Sequence, residues 1–280
     1  MTESVSAPSS PKSVRLERHG PIAELVLCRP KKGNAMGPAF WIELPAAVAE
    51  ADSDPAVRVL LLRAEGSNFC FGLDLMANAT NLGPLITGQT QAPERTALLR
   101  LVESWQIAVD SLARARKPVV AAIQGWCIGG GLDVAAACDV RVCSADARFS
   151  LRETKMAMVA DIGSLQRLPG IIGHAATSEL AFTGGDIDSD RSAKLGLVSR
   201  VFDDADSLLD GARALATEIA GNPPLVVQGV KQVLNRSRRR EIQAGLDYVA
   251  LWNAAFVQSD DLVEALTAFA EKRDPVWTGK

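Results

Sequence analysis

Three acidic residues, Asp133, Glu153 and Asp161, mark the stretch of this chain best suited to chemistry. The first follows a glycine triplet, Gly129-Gly130-Gly131, which comes shortly after the apolar run Val119-Val120-Ala121-Ala122-Ile123 behind Pro118. That run is short and β-branched enough to read as a buried strand. From Leu132 the pattern becomes Leu-Asp-Val-Ala-Ala-Ala-Cys, a good helix former with an acid in its first turn, where the macrodipole favours negative charge. Strand, glycine turn and helix start together leave backbone N–H groups unpartnered, and such groups hold a phosphate, a carboxylate or an oxyanion that develops during a reaction. Glycines here also serve close packing of strand on helix. Two further acids turn the reading toward chemistry: Glu153 in Phe149-Ser150-Leu151-Arg152-Glu153, and Asp161 at the end of Met156-Ala157-Met158-Val159-Ala160. Carboxylates gathered around an anion-friendly turn suit proton transfer beside a stabilised oxyanion.

A second glycine turn stands ahead of the first, in Asn68-Phe69-Cys70-Phe71-Gly72-Leu73-Asp74. On these two turns and the acids behind them, the chain resembles the crotonase (enoyl-CoA hydratase/isomerase) superfamily from about Val14 to Asp274. Within it the similarity is greatest to the subfamily that converts 3,5-dienoyl-CoA to 2,4-dienoyl-CoA. The residues that carry this are Asn34-Ala35-Met36, Ala39-Phe40-Trp41, Gly72-Leu73-Asp74-Leu75-Met76, the run from Ala160 to Pro169, and Leu246-Asp247-Tyr248.

The resemblance implies an α/β fold, a crotonase-like spiral of ββα units with a C-terminal helical trimerisation region, and an acyl-CoA thioester as substrate. It implies that the backbone N–H groups of Leu73 and Gly130 form the oxyanion hole, and that Cys70, Phe71, Gly72, Leu73, Asp74 and Gly130 contact the substrate. Moving the double bonds takes a proton from C2 and returns one at C6, which one base does not easily serve. The resemblance assigns Glu153 to C2 and Asp161 to C6, with Asp133 supporting Glu153, since neighbouring carboxylates hold their pKa values apart. Coenzyme A arrives as part of the substrate, so no cofactor and no metal are expected, and the assembly implied is a homotrimer or a dimer of trimers. Two positions depart from the pattern: Phe71 stands where a small residue is usual, and Gly37 where Asn is typical.

Two other functions compete with isomerisation. An enoyl-CoA hydratase holds its water with two glutamates, whereas Asp133 is one methylene shorter at one of those positions, and a displacement of about 1 Å at a reacting group costs roughly a hundredfold. A non-catalytic acyl-CoA-binding protein would be marked by the loss of an acid or of an oxyanion glycine, and neither is lost.

Composition excludes several classes. The 280 residues are 48% hydrophobic and 22% charged, enough for a substantial core, and a formal net charge of -3 offers no basic footprint for nucleic acid. No apolar run reaches the length of a membrane span. The Arg236-Ser237-Arg238-Arg239-Arg240 run is the one basic cluster, and such runs are usually solvated helix faces. Five cysteines without a Cys-x-x-Cys pair fit small core residues in a reducing, cytoplasmic setting. Two isolated histidines and the lack of a Gly-x-Ser-x-Gly elbow disfavour a zinc site or a Ser-His-Asp hydrolase. No secretory, mitochondrial or Ser-Lys-Leu address is legible, which also points to the cytoplasm.

Three regions are expected: a disordered tail over residues 1–13, a spiral core over 14–202 and a helical region over 203–280. Ser13 to Glu17 and Ala23 to Cys28 alternate like a hairpin, and Pro38 opens a helix that runs toward Asp52. Val57 to Arg63 reads as a buried strand. The stretch Met76 to Pro93 is long for a connection and would border the acyl pocket. Arg95 to Arg116 is an amphipathic helix with Leu98, Val102, Trp105, Val109 and Leu112 at helical spacing. Val140 to Ser144 and Arg148 to Ser150 continue the sheet, and short helices follow over Ser164–Leu168 and Ala175–Phe182. Beyond Phe202, four helices are predicted over Leu208–Ala220, Leu225–Arg236, Glu241–Gln258 and Leu262–Lys272.

Overall fold

Nine short strands in two sheets build the body of the protein, for which a computed structural model describes residues 12–80, 83 and 91–280. The predicted hairpin forms as β1 (Val14–His19) against β2 (Ile22–Leu27), turning through Gly20 at φ 60°. From β2 outward every partner is parallel: β3 (Val59–Ala64), β4 (Val119–Ile123), β6 (Val140–Ser144) and β9 (Arg200–Phe202). Parallel strands need crossovers, and here α1 (Phe40–Ser53), α2 (Ala92–Arg114) and α3 (Gly130–Ala137) lie between successive strands of this sheet.

The uninterrupted Val59-Leu60-Leu61-Leu62 run follows from burial on both faces. Leu60 and Leu62 pack into the cluster that contains Phe40, Trp105 and Leu132, while Val59 and Leu61 pack on the opposite side against Leu208, Ala212 and Ala216. Those last three lie on helix α8 (Ala205–Ala220), one turn apart, so small residues set how closely that helix approaches the sheet. Between α3 and α8 run four short helices: α4 (Ser164–Arg167), α5 (Pro169–Ile172), α6 (His174–Thr183) and α7 (Ser189–Lys194).

Several expectations change in three dimensions. Residues 1–11 of the expected tail lie outside the described residues, but Ser13 is buried and its N–H donates to Glu43 Oε2, so the ordered body begins before Val14. Part of the Met76–Pro93 connection likewise lies outside the described residues, although Asn78 within it is buried and donates to the carbonyls of Met36 and Asp74. Arg148 to Ser150 does not continue the main sheet. As β7 it pairs with β5 (Trp126–Ile128) and β8 (Asp186–Asp188) in a second, three-stranded sheet, whose strands are too short to stand out in the sequence.

The two helices expected over Leu225–Arg236 and Glu241–Gln258 are one helix, α9 (Pro224–Phe256), of 33 residues. Its arginine run contains no breaker, and arginine is a good helix former, so nothing local interrupts the hydrogen-bond ladder. A capped helix follows as α10 (Asp260–Glu271), where the Ser259 hydroxyl accepts the N–H of Leu262. No helix among the described residues is long and apolar enough to cross a membrane.

Candidate active site

The two glycine turns predicted from sequence meet face to face. Gly72 has φ 83°, and a Cβ built on it would lie 2.9 Å from the Ile128 carbonyl oxygen and 3.2 Å from the Gly130 nitrogen, so only glycine admits this approach. Parallel bridges tie the segments together, Cys70 to Cys127 and Met36 to Leu73. Cys70 N–H donates to Trp126 O, Ile128 N–H to Cys70 O, and Met36 N–H to Gly72 O, while Asp74 N–H donates to Met36 O. The amides on either side of Leu73 are thus taken, Asp74 N–H by Met36 O and Gly72 N–H by the Cys70 sulfur. Among the described residues, the N–H of Leu73 and that of Gly130, in the first turn of α3, find no acceptor.

Met36, fully buried, fills the space behind this junction, with its Cε 2.1 Å from where a Cβ on Gly130 would sit. Nothing in the sequence singled it out beyond its place in Asn34-Ala35-Met36. Cys70 lies under Gly131, where a Cβ would meet the Cys70 carbonyl oxygen at 2.6 Å, and its thiol donates to Asn34 O. Burial pushes that thiol up to about 12, so it is a packing residue rather than a nucleophile. Asp74 pairs with Arg29 at 2.9 Å and accepts the N–H of Ala77, which holds its carboxyl below the usual range despite partial burial. The Phe71 ring lies over Gly33, where a Cβ would meet it at 2.2 Å, and is partly open to solvent. Gly37, the other departure, leaves room for the Arg29 guanidinium, 2.8 Å from where its Cβ would be.

All three acids gather at this junction. Asp133, on the first turn of α3, is 1% exposed; its Oδ1 accepts the N–H of Ser164, and its Oδ2 is buried without a partner. Glu153 opens a 3-10 turn (Glu153–Met156), and its Oε1 sits 3.0 Å from where a Cβ on Gly129 would be, so the carboxyl lies directly against the glycine triplet. Its Oε2 is sealed from solvent and also unpartnered. Asp161 Oδ2 accepts Asn253 Nδ2 at 2.7 Å.

Burial raises the pKa of all three, and the charge of a neighbouring carboxylate adds to it for Glu153 and Asp161. Asp133 is pushed up chiefly by desolvation, against the Ser164 hydrogen bonds and the charge of Arg167. Glu153 is raised by desolvation, then by the charges of Asp133 and Asp161. Asp161 is raised to about 7 by desolvation and, to a smaller extent, by Asp133, while the Asn253 hydrogen bond pulls it down. Carboxyl groups in this condition hold and release protons near neutral pH.

The run from Asp161 to Arg167 positions two of these acids at once. Gly163, at φ 137°, makes room for the Arg167 guanidinium, whose Nη1 lies 1.7 Å from where a Cβ would be. Arg167 is buried and paired with Asp110 on α2 at 2.8 Å. That anchor fixes Ser164 so that its N–H reaches Asp133. Sequence reading found this run only as a motif and missed Gln106 and Asn253, which come from α2 and α9 and have no local signature.

Together, an adjacent pair of free amides and carboxyls with raised proton affinity are an arrangement able to stabilise an oxyanion beside proton transfer. The profile of the enoyl-CoA hydratase/isomerase family matches residues 17–280, and the chain belongs to that family. It is 44% identical over 271 residues to the mitochondrial Delta(3,5)-Delta(2,4)-dienoyl-CoA isomerase of Dictyostelium discoideum, covering 95% of this chain and 91% of that protein. It is 42% identical to the peroxisomal Delta(3,5)-Delta(2,4)-dienoyl-CoA isomerase of Arabidopsis thaliana, covering 94% of each. The crystal structure of an enoyl-CoA hydratase/isomerase from Xanthobacter autotrophicus Py2 superposes with a TM-score of 0.82 at 26% identity, covering 94% of each chain. The similarities bear out the crotonase fold.

They also correct the expected cytoplasmic location, because these relatives are named mitochondrial and peroxisomal. The five free cysteines, four of them buried, do not tell one reducing compartment from another, so the cytoplasmic expectation drawn from them does not hold.

Proposed function

We propose that the chain is a 3,5-dienoyl-CoA to 2,4-dienoyl-CoA isomerase. One observation carries the reading: two unpartnered amides, Leu73 and Gly130, lie beside three carboxyls, Asp133 buried and Glu153 and Asp161 half-buried, whose proton affinities are raised toward neutrality. Three such groups in one dry site do not all ionise together, so the site holds at least one proton to give and one carboxylate to accept another.

In this reading the thioester oxygen accepts the Leu73 and Gly130 N–H groups. Glu153 takes a proton from C2, and the electron pair moves through C1 onto that oxygen, where removing one donor would cost about a hundredfold or more in rate. As the carbonyl reforms, the pair shifts outward along the chain, and C6 takes a proton from Asp161. The double bonds then stand at positions 2 and 4. Asp133 keeps Glu153 basic enough to accept its proton. Both positions near the thioester, Gly72 and Gly130, act by leaving space, while Cys70 and Asp74 shape the turn from behind and Phe71 borders its outer side.

Coenzyme A comes with the substrate, and the reading needs no resident cofactor or metal. A cavity of about 520 Å³ between Val159, Leu165 and Gln166 on the Asp161 side and Tyr248, Val249 and Trp252 on α9 suits the acyl chain beyond C6. A homotrimer or dimer of trimers is supported by the apolar surface α9 leaves open: Leu225 is 83% exposed, Val233 74% and Phe256 62%, more than an isolated subunit usually leaves in water. The test offers the purified protein a 3,5-dienoyl-CoA and a 2-enoyl-CoA, following diene absorbance and water addition separately. Diene migration is the expected result; hydration alone would replace this reading with that of a hydratase.

A further inference from the structure

Asn253 lies far along the chain from the acids, on α9, with 4% of its surface exposed. Its side-chain amide has two hydrogens, and both are committed: Nδ2 donates to Val159 O at 2.8 Å and to Asp161 Oδ2 at 2.7 Å. An amide nitrogen donates and does not accept. Asp161 Oδ2 is therefore an acceptor in this contact, and a proton on Asp161 belongs on Oδ1. We infer that Asn253 is a positioning residue that fixes which oxygen of Asp161 carries the proton, and so aims a single O–H at the reacting carbon.

The surroundings hold this arrangement in place. Gln106, 5% exposed on α2, donates through Nε2 to Asp161 O at 2.7 Å and to Leu246 O at 3.0 Å, which ties the Asp161 backbone to α2 and α9 together. Asp161 thus has its main chain clamped by one amide side chain and its carboxyl oriented by another. The charged group acting on it is Asp133 on α3, which favours its protonated form, and Asp161 in turn raises the proton affinity of Glu153 on the 3-10 turn. Asn253 acts the other way, since a donor at Oδ2 favours the carboxylate. It serves both halves of the step: before transfer it directs the proton to Oδ1, and after transfer it stabilises the anion left behind.

The inference rests on the isomerase reading, and the step balances within it. The Oδ1–H bond of Asp161 breaks, and a C6–H bond forms from the electron pair of the C5–C6 double bond. Asp161 ends as a carboxylate and Glu153 as a carboxylic acid. The site resets when Glu153 loses its proton and Asp161 regains one from water, so solvent hydrogen appears at C6 of the product.

The test compares Asn253→Leu, similar in size but without a donor, and Asn253→Ser, which keeps a hydroxyl donor, with the unaltered protein. Three quantities are measured on a 3,5-dienoyl-CoA: kcat, KM and the pH profile of kcat. For Asn253→Leu, kcat should fall tenfold to a hundredfold with KM changed less than about threefold. The descending basic limb should move to higher pH, because losing the donor raises the Asp161 pKa. Exchange of the C2 proton with deuterium should persist, and Asn253→Ser should recover part of kcat. A fall in kcat with the limb unmoved in Asn253→Leu would reduce Asn253 to a structural residue and overturn the inference, as would an unchanged kcat. If Asn253→Leu does not fold, Asn253→Ala, which also lacks a donor, takes its place with the same expected shift of the limb. Failure of the unaltered protein to migrate the diene would instead overturn the isomerase reading, so the two failures are distinguishable.

Discussion

Gly72 and Gly130 stand so close that a single methyl group on Gly72 would press on the Gly130 nitrogen at 3.2 Å. Each turn alone would offer one donor, and their contact makes a pair. The replacement Gly72→Ala tests this, because its Cβ would also meet the Ile128 carbonyl at 2.9 Å in a left-handed conformation, a strain of about 1–3 kcal/mol. We expect kcat on a 3,5-dienoyl-CoA to fall at least a hundredfold with a modest drop in melting temperature. Near-normal turnover would show that the paired amides do not hold the oxyanion.

Asp133 distinguishes isomerisation from hydration. Asp133→Asn keeps an acceptor for the Ser164 N–H but removes a charge that raises the Glu153 pKa, so the pH limb belonging to Glu153 should move to lower pH. Asp133→Glu, by contrast, restores the two-glutamate arrangement; isomerisation should fall and measurable water addition to a 2-enoyl-CoA should appear. Unchanged rates in both variants would place Asp133 outside the chemistry.

Asp161→Asn keeps the shape of the side chain and removes its proton. Diene migration should drop by about a thousandfold or more, in the range of a lost general acid, while the C2 proton still exchanges with deuterium through Glu153. Mass spectrometry of recovered substrate reads the exchange directly. Loss of both activities would move Asp161 to the C2 end.

The same residue gives the protein a pH-dependent stability. The pKa of Asp161 is raised from 3.8 to about 7, so below pH 4 it is protonated in both folded and unfolded chains. Between those values only the folded chain binds the proton, and stability falls as pH rises through that window, by an amount on the order of a few kcal/mol. The melting temperature should therefore be higher at pH 5 than at pH 8, and Asp161→Asn should flatten the profile and be the more stable protein at pH 8. A mutant less stable than the parent at pH 8 would contradict this assignment.

Lys231 tests the scaffold rather than the site. It is 5% exposed, pairs with Asp139 at 2.6 Å and donates to the carbonyls of Leu112 and Lys117, joining α9 to the end of α2 and the start of β4. Lys231→Met would leave Asp139 without that cation, a loss of about 3–5 kcal/mol measurable by denaturant unfolding. A cost below about 1 kcal/mol would mean that water reaches the pair freely.

Much of this protein was legible in the order of its residues. Local chemistry decides the β1–β2 hairpin, the buried runs of β3 and β4, and the two glycine turns, because alternation, branching and the freedom of glycine act over a few neighbours. The acids Asp133, Glu153 and Asp161 were equally visible as types, but their shared environment was not. Their raised proton affinities come from burial and from one another, and that required α3, the 3-10 turn and the Asp161 loop to fold onto one point. Asn253 and Gln106 reach Asp161 across 92 and 55 residues, a separation that no local pattern encodes. The second sheet escaped notice because its three-residue strands carry too little pattern, and the join within α9 was missed because the apolar periodicity lapses across the polar run from Arg236 to Arg240 although no breaker stands there. Short-range propensity thus determined the elements and the reactive groups, whereas the dry, crowded contact that makes those groups reactive was decided only by packing, since desolvation is a property of everything that surrounds a charge.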